Sequence, residues 1–252
     1  GVASVPVNYR DAGNMRLQVQ YTGSGADAGL IMSGSGEFIA RPAGMCVYPA
    51  TSTSCDSPYT NCPVYKKAGE EFSLLITPVV WEADADSNFC DNTGTPNYSA
   101  SNISLTSTLV SPVSGNNGLI TPSSYNHTAE TGGGNIVAMT ESEVGVFTFH
   151  ATPPLYQGAA LGTLNSTSLV TFNSQSTGRF IPDHFEISQV TAGTLNGSGI
   201  CPSVNLYSGE TTTWGTAPRF RFTAHNASHG ITENYTQTGY QKLTVSDISS
   251  AL

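Results

Sequence analysis

The sequence contains few charged side chains, and basic ones are the scarcer of the two signs. Only 11% of its 252 residues are charged, and 9 Lys and Arg stand against 18 Asp and Glu, for a formal net charge of −9. Such an acidic chain attracts neither nucleic acid nor anionic lipid, so we expect neither as a partner. The polar residues that are abundant instead are Ser, Thr, Asn and Gly, which are typical of solvated β-surfaces.

The sequence also lacks long hydrophobic runs and helical periodicity. Its longest apolar run, LLITPVVW at residues 74–81, is interrupted by Pro78. That run is far shorter than the ~18 apolar residues that a membrane-spanning helix needs, so we expect no membrane span. No segment of helix length carries an apolar stripe with a period of 3.6 residues.

Alternation with a period of two dominates instead. Met15, Leu17 and Val19 alternate with polar residues, and the same pattern recurs around Phe72 and around Phe220. Turn sequences rich in Gly and Asn, such as SGNNG and LNGSG, separate the alternating segments. Short strands between such turns predict an all-β fold of antiparallel β-sandwiches with Ig-like or cadherin-like packing.

Three segments occur twice, in the same order. The heptapeptide GEFIARP begins at Gly36, and GRFIPDH begins at Gly178, 142 residues later. Two further pairs align at offsets of 132 and 137 residues: DAGNMRLQV with EVGVFTFHA, and TPNYSASNISLT with TENYTQTGYQKL. A repeat of this length indicates similar domains in tandem rather than a solenoid of small units.

The phase of the repeat predicts three segments. Residues 1–35 are expected to be the terminal strands of a preceding β-sandwich, residues 36–177 a complete Ig-like sandwich, and residues 178–252 the first half of a second one. The terminal domains are therefore expected to be incomplete within this chain. Each heptapeptide carries an aromatic–aliphatic pair followed by Pro, which favours an exposed edge strand, and we expect this strand to open each domain.

Four of the five cysteines fall within the complete unit. In this Ser-, Thr- and Pro-rich setting they predict disulfides and an oxidising compartment, with three pairings open. Zinc is the competing interpretation, but the spacing lacks the close C-x2-4-C pair that zinc sites commonly use. Cys201 has no partner in its own half-unit. The disulfide candidates are Cys46, Cys55, Cys62 and Cys90.

An acidic segment, DADSNFCDN, offers oxygen ligands at alternate positions and predicts a calcium site. It does not fit the EF-hand pattern, because Phe89 occupies the place of the turn glycine and Thr95 that of the bidentate Glu. The alternative is a solvated acidic loop held by Cys90. The candidate ligands are Asp84, Asp86, Asn88 and Asp91.

No catalytic constellation is predicted, and no cofactor other than calcium is expected. The chain has no G-x-S-x-G motif, and its glycine-rich segment GSGADAG lacks the lysine of a phosphate-binding loop. His225 and His229 lie in a turn sequence, where we expect local hydrogen bonds rather than a metal. The aromatic residues that could line a sugar site are Trp81, Tyr98, Trp214, Tyr235 and Tyr240. Tyr98 and Tyr235 are expected in domain cores and Trp214 on the surface.

The chain resembles the MshQ-like proteins over most of residues 10–245. The matching elements are GRFIPDHF at residues 178–185, the A-x-N-x-x-x-G-x-T-x-N-Y segment at residues 224–235, and FSLLITPVVW followed by TPNY in the preceding unit. MshQ-like proteins are large surface proteins encoded with the mannose-sensitive haemagglutinin (MSHA) type IV pilus of Gram-negative bacteria. The resemblance implies β-sandwich repeats, an extracellular or pilus-associated location and a role in attachment, and it carries no catalytic activity.

The functional expectation is a non-enzymatic structural and adhesive module at the bacterial surface, with pilus components or surface glycans as partners. One alternative is a fibre subunit, in which copies of the chain join by strand addition. The other is a carbohydrate-binding module that uses the aromatic loops.

Overall fold

The computed structural model describes residues 4–51, 54–83, 86, 88–158, 175–196 and 211–248. These residues form β-strands joined by loops and short 3-10 helices, which confirms the prediction of an all-β fold. The strands are β1 (Gly13–Thr22), β2 (Ile31–Ala40), β3 (Gly44–Pro49), β4 (Lys66–Lys67), β5 (Phe72–Val79), β6 (Ala100–Ser111), β7 (Ile120–Thr121), β8 (Ser124–His127), β9 (Asn135–Glu141), β10 (Gly145–Thr152), β11 (Thr177–Ile181), β12 (His184–Thr191), β13 (Thr194–Asn196), β14 (Thr213–Thr216) and β15 (Arg219–His225).

The 3-10 helices of the described residues are Gly25–Asp27, Tyr59–Asn61, Glu233–Thr236 and Val245–Asp247. None of the helices in the described part of the chain is long and apolar enough to cross a membrane.

Strands β1 and β2 form a two-stranded antiparallel hairpin at the start of the chain. Their register runs without a bulge from Gly13 opposite Ala40 to Thr22 opposite Ile31. The alternating residues of β1 that the sequence marks as apolar, such as Leu17 and Val19, are exposed on this hairpin.

Strands β3 to β11 form the sandwich. One sheet has the order β3-β5-β9-β7 and the other the order β4-β11-β10-β6-β8. Successive side chains of a strand point to opposite faces of the sheet, so the period-two pattern places alternate residues in the core. Leu74 and Ile76 of β5 and Phe147 and Phe149 of β10 are fully buried there.

Strand β11 closes this sandwich, although it contains the first four residues of the second heptapeptide. Phe180 is fully buried. The centroid of its ring lies 5.4 Å from the ring centroid of Phe72, 5.5 Å from that of Tyr65 and 5.7 Å from that of Phe147. The first five residues of the first heptapeptide likewise lie in β2, the second strand of a hairpin. The heptapeptide therefore ends a unit instead of opening one, and the boundaries predicted after residues 35 and 177 fall within β2 and β11.

Strands β12 and β15 begin the next unit and reproduce the β3–β5 pair. Three backbone hydrogen bonds recur between equivalent residues, and this recurrence extends the sequence repeat to the structure. The pairs are Ala43–Val79 with Asp183–His225, Val80–Thr93 with Asn226–Gly230, and Thr95–Pro78 with Thr232–Ala224. Strands β13 and β14, which lie between β12 and β15 in the sequence, form a separate two-stranded antiparallel sheet.

The four cysteines of the sandwich form two disulfides, as expected. Cys46–Cys90 joins β3 to the acidic loop after β5, and Cys55–Cys62 closes a short loop between β3 and β4. The structure thus selects one of the three pairings that the sequence left open, and sulfurs joined in disulfides are not the thiolates that a zinc site requires. Cys201 lies outside the described residues.

Replacing Phe180 by Ala is expected to lower the free energy of unfolding of the sandwich by about 3–5 kcal/mol, because the substitution leaves a cavity among aromatic rings. Phe38, at the same place in the first heptapeptide, is exposed and provides the matched control. Chemical denaturation of the two variants measures the difference. Equal losses for Phe180→Ala and Phe38→Ala would contradict the assignment of β11 to the sandwich core.

Candidate functional site

Polar side chains converge where one unit meets the next. At the first junction, Asp11 precedes β1 and faces the TPNY turn of the sandwich. Its Oδ1 accepts hydrogen bonds from the backbone N–H of Ala12 at 2.7 Å and of Asn97 at 3.0 Å, and its Oδ2 accepts one from Asn97 Nδ2 at 2.7 Å. A carboxylate before the last hairpin of one unit thus holds a turn of the next.

Glu143 occupies the equivalent place at the second junction, before β10. Its Oε1 accepts hydrogen bonds from the backbone N–H of Val144 at 2.7 Å and of Asn234 at 3.2 Å, and its Oε2 accepts one from the N–H of Glu233 at 2.9 Å. The N–H groups of Glu233 and Asn234 lie at the start of a 3-10 helix and have no hydrogen-bond acceptor within it. The Glu143 carboxylate supplies the acceptor that they would otherwise lack.

The Asn234 side chain adds a second set of bonds across this junction. Its Nδ2 donates to the carbonyl oxygens of Asn116 at 2.8 Å and of Val144 at 2.9 Å, and its Oδ1 accepts from the Asn116 N–H at 2.7 Å. The Asn116 side chain in turn donates to Glu233. Asn234 is almost fully buried, so it ties a loop of the sandwich to the next unit without competition from water.

The residue after each carboxylate is apolar and enters the neighbouring unit. Ala12 belongs to the core of the sandwich together with Tyr98, and Val144 packs with Tyr235 and Tyr240 in the core of the next unit. Gly145 then begins β10 with a φ of +149°, and a Cβ there would lie 2.6 Å from the Ser111 carbonyl oxygen. The sequence pattern acid–apolar–Gly therefore has a geometric cause at the second junction.

Burial changes the protonation of the carboxyls at this junction. Glu141, the last residue of β9, is fully buried, and that burial raises the pKa of its carboxyl to about 7. Burial also raises the pKa of the Glu143 carboxyl, against the opposing effect of the backbone N–H groups that it accepts from. The Glu143 N–H donates to Glu141 Oε1 at 3.3 Å, so the two groups form one coupled cluster.

The covalent linker between β11 and β12 supplies a second contact region. Lys67 Nζ donates to Asp183 Oδ1 at 3.0 Å, and Asp183 Oδ2 lies 2.8 Å from His184 Nδ1. His229 Nδ1 lies 3.3 Å from His184 Nε2, and His225 Nδ1 lies 2.8 Å from the His229 carbonyl oxygen. The histidines are thus hydrogen-bonded locally, and His184, which the sequence places far from the other two, joins them across the β12–β15 pair.

The acidic loop that the sequence singles out has its own internal bonds. Asp86 Oδ1 accepts from the Asn88 N–H at 2.9 Å, Asp86 Oδ2 accepts from Asn92 Nδ2 at 2.7 Å, and Asn88 Nδ2 donates to Asp91 Oδ2 at 3.1 Å. Asp84 lies outside the described residues. Among the residues that are described, no group of three or more metal-ligating side chains comes together. The calcium site stays a prediction.

The five aromatic side chains considered for sugar binding do not share one surface. Tyr98, Tyr235 and Tyr240 are buried in cores, whereas Trp81 on the sandwich and Trp214 on β14 are each about half exposed.

Sequence reasoning did not identify Asp11, Glu143 or Asn116 as functional residues. A signal for the first two was available, because each lies at the first position of an aligned repeat segment, and the Asn-Tyr pair that they contact also recurs. Asn116 belongs to a loop that has no aligned counterpart, so only the folded structure brings it to Asn234.

Replacing Glu143 by Ala is expected to speed hydrogen exchange at the Glu233 and Asn234 amides by about tenfold or more, since a lost buried hydrogen bond is worth about 1–3 kcal/mol. Asp11→Ala is the matched control and should affect the Ala12 and Asn97 amides while leaving Glu233 and Asn234 unchanged. Amide exchange followed by NMR measures both. Unchanged exchange at Glu233 and Asn234 in Glu143→Ala would show that the Glu143 carboxylate does not hold this turn.

Replacing Glu141 by Gln is expected to flatten the pH dependence of stability. The folded chain holds the Glu141 proton up to about pH 7, whereas the unfolded chain releases it near 4.5. The free energy of unfolding should therefore fall as the pH rises through this window, by up to about 3 kcal/mol from this group. Glu143 contributes in the same direction, so some dependence should remain.

Denaturation midpoints between pH 4 and 8 measure this effect. Glu71→Gln, which alters an exposed carboxyl, is the control and should leave the slope unchanged. An identical slope in Glu141→Gln and in the parent chain would show that the buried carboxyl does not carry the proton.

Comparison with family models covers nearly the whole chain. The model described as a domain of unknown function (DUF6701), first Ig-like domain, matches residues 1–35, the DUF6701 second-domain model matches residues 41–136, and the third-domain model matches residues 143–252. The third-domain match begins at Glu143, so it includes the β10–β11 strands that complete the sandwich. No curated protein and no solved structure matches the chain. The Ig-like character predicted from the sequence agrees with the first of these models, and the chain belongs to the DUF6701 family.

Proposed function

We propose that this chain is a non-enzymatic structural module of a bacterial surface protein, in which tandem β-sandwich units form a stalk that serves attachment. The observation that carries the proposal is the recurrence of one junction. Asp11 and Glu143, at equivalent positions, each bind the backbone of the next unit's Asn-Tyr turn.

A stalk must keep successive units in a fixed arrangement, and the second junction supplies two constraints of this kind. The first constraint is the set of hydrogen bonds that Glu143 and Asn234 make. The second is the β11–β12 linker together with the Lys67–Asp183 ion pair. Two separate connections resist bending and twisting more than a single flexible linker does.

The disulfides support a location outside the cytoplasm. Cys46–Cys90 and Cys55–Cys62 are of the kind that persist in oxidising surroundings. The resemblance of residues 10–245 to MshQ-like proteins supports a more specific location, the bacterial surface, and association with a type IV pilus. Attachment, with pilus components or glycans as partners, is then the role of the surface protein in which this module serves as the stalk.

An antibody raised against the purified chain is expected to label intact cells of the producing bacterium, because the module lies outside the membrane. An excess of the purified chain should leave attachment of those cells to their surface unchanged, because a stalk carries no receptor site. Labelling only after permeabilisation would contradict the location.

Inhibition of attachment by the purified chain would contradict the stalk and favour a binding module. The variant Trp214→Ala then identifies the aromatic surface as the binding site if inhibition disappears. A variant of an exposed aliphatic residue away from β14, Val113→Ala, is the matched control.

A further inference from the structure

Two imidazole nitrogens face each other between the start of β12 and the turn after β15. His229 Nδ1 lies 3.3 Å from His184 Nε2, and the two rings meet edge to face with their centroids 5.1 Å apart. Two ligand atoms of a tetrahedral zinc ion, each about 2.0–2.1 Å from the metal, lie about 3.3 Å from each other. The histidine pair therefore already has the ligand spacing that such an ion requires.

The Asp183 carboxylate sets the position of the proton on the His184 ring. Asp183 Oδ2 lies 2.8 Å from His184 Nδ1. Because an ionised carboxylate only accepts hydrogen bonds, the ring proton lies on Nδ1, and the lone pair lies on Nε2, the nitrogen that faces His229. A carboxylate in this place is the common partner of a metal-bound histidine, since it orients the ring and makes the ligating nitrogen more basic.

The turn that carries His229 is held by three hydrogen bonds. Asn226 Oδ1 accepts from the backbone N–H groups of Ser228 at 3.0 Å and of Gly230 at 2.9 Å. The His229 carbonyl oxygen lies 2.8 Å from His225 Nδ1. His229 itself has a φ of +62°, in the left-handed region that suits glycine better than a residue with a side chain. Such backbone strain is concentrated at functional sites in proteins.

A covalent bond joins the equivalent elements of the preceding sandwich. The disulfide Cys46–Cys90 connects β3 to the loop after β5, and β3 and β5 are the equivalents of β12 and β15. Neither β12 nor the turn at residues 226–231 contains a cysteine. His184 and His229 thus connect the same two elements of the next unit by side chains of a different kind.

We propose that His184 Nε2 and His229 Nδ1 bind a divalent transition-metal cation such as zinc, which joins the start of β12 to the turn after β15. Imidazole nitrogen suits Zn²⁺, Cu²⁺ and Ni²⁺, whereas Ca²⁺ and Mg²⁺ prefer oxygen ligands. The cation takes the place of the proton between the two nitrogens, and that proton moves to Nε2 of the exposed His229 ring. Within the described residues no third metal-ligating side chain joins the pair, so water completes the coordination.

The test is isothermal titration calorimetry of the full chain, without a histidine tag, with zinc chloride at about pH 7.5, where histidine is neutral. One ion per chain should bind with a dissociation constant of about 1–100 µM, since half of the ligand set of a structural zinc site is present. His184→Gln and His229→Gly should each weaken binding by about tenfold or more, because losing a ligand costs at least as much as losing the partner that orients it. The control is His150→Gln, which alters a histidine of β10 that bonds to Thr108 and should bind zinc like the parent chain.

His229→Gly separates a ligand from a purely structural side chain. Glycine adopts a positive φ without strain, so the metal-free variant should unfold at the same denaturant concentration as the metal-free parent chain, or at a higher one. Zinc should raise the unfolding midpoint of the parent chain and leave that of His229→Gly unchanged, because a ligand stabilises only the folded state that binds it.

A parent chain that binds no zinc would overturn the proposal. Zinc affinity that is undiminished in His184→Gln or in His229→Gly would also overturn it, since the ion would then lie elsewhere. Long-range ¹H–¹⁵N NMR spectra of the imidazole rings provide the independent readout: zinc should shift the nitrogens of His184 and His229, and unshifted nitrogens in both rings would contradict the site.

Discussion

A carboxylate that accepts backbone hydrogen bonds from the neighbouring unit is the interaction on which the arrangement of this chain depends. Asp11 and Glu143 lie just before the last two strands of their own unit, and their carboxylates accept hydrogen bonds from N–H groups of a turn in the next unit. Because these donors belong to the backbone, the contact fixes the position of the turn regardless of the rotamers of the turn's own side chains. The apolar residue that follows, Ala12 or Val144, then enters the core beside a tyrosine.

Burying such a carboxylate costs free energy, and hydrogen-bond donors of the backbone offset this cost. Glu143 is buried yet accepts from three backbone N–H groups, and an anion with that many donors is well compensated. Glu141, its neighbour, has an Oε2 that finds no hydrogen-bond partner among the described residues, and its raised pKa holds it closer to neutrality at ordinary pH. The Glu143 carboxyl thus makes the hydrogen bonds of the junction, and the Glu141 carboxyl beside it makes the stability depend on pH.

Much of the fold could be predicted from the sequence because period-two alternation and a domain-sized repeat are strong local signals. The all-β class, the burial of Tyr98 and Tyr235 and the involvement of four cysteines in disulfides follow from residue pattern alone. The position of the heptapeptide within a unit could not be predicted from the sequence. Phe38 and Phe180 have the same sequence context whether their strand opens a unit or closes it. Only strand pairing, with β11 beside β10 and β4, decides between these.

The candidate site was harder to predict than the fold. Acidic residues in a loop, such as Asp86 and Asp91, attract attention as metal ligands, yet within the described residues they bond to neighbouring amides. The carboxylates at the junctions stand alone in the sequence, and their partners lie 86 and 91 residues away. Contacts over that distance depend on how two units pack, which no local pattern encodes.

The central claim is that the junction holds the sandwich and the following unit as one rigid body. Residual dipolar couplings of backbone amides, measured separately for residues 44–181 and for the β12–β15 pair, test it most directly. The account predicts that a single alignment tensor fits both sets. Two tensors of different magnitude or orientation in the unmodified chain would contradict it.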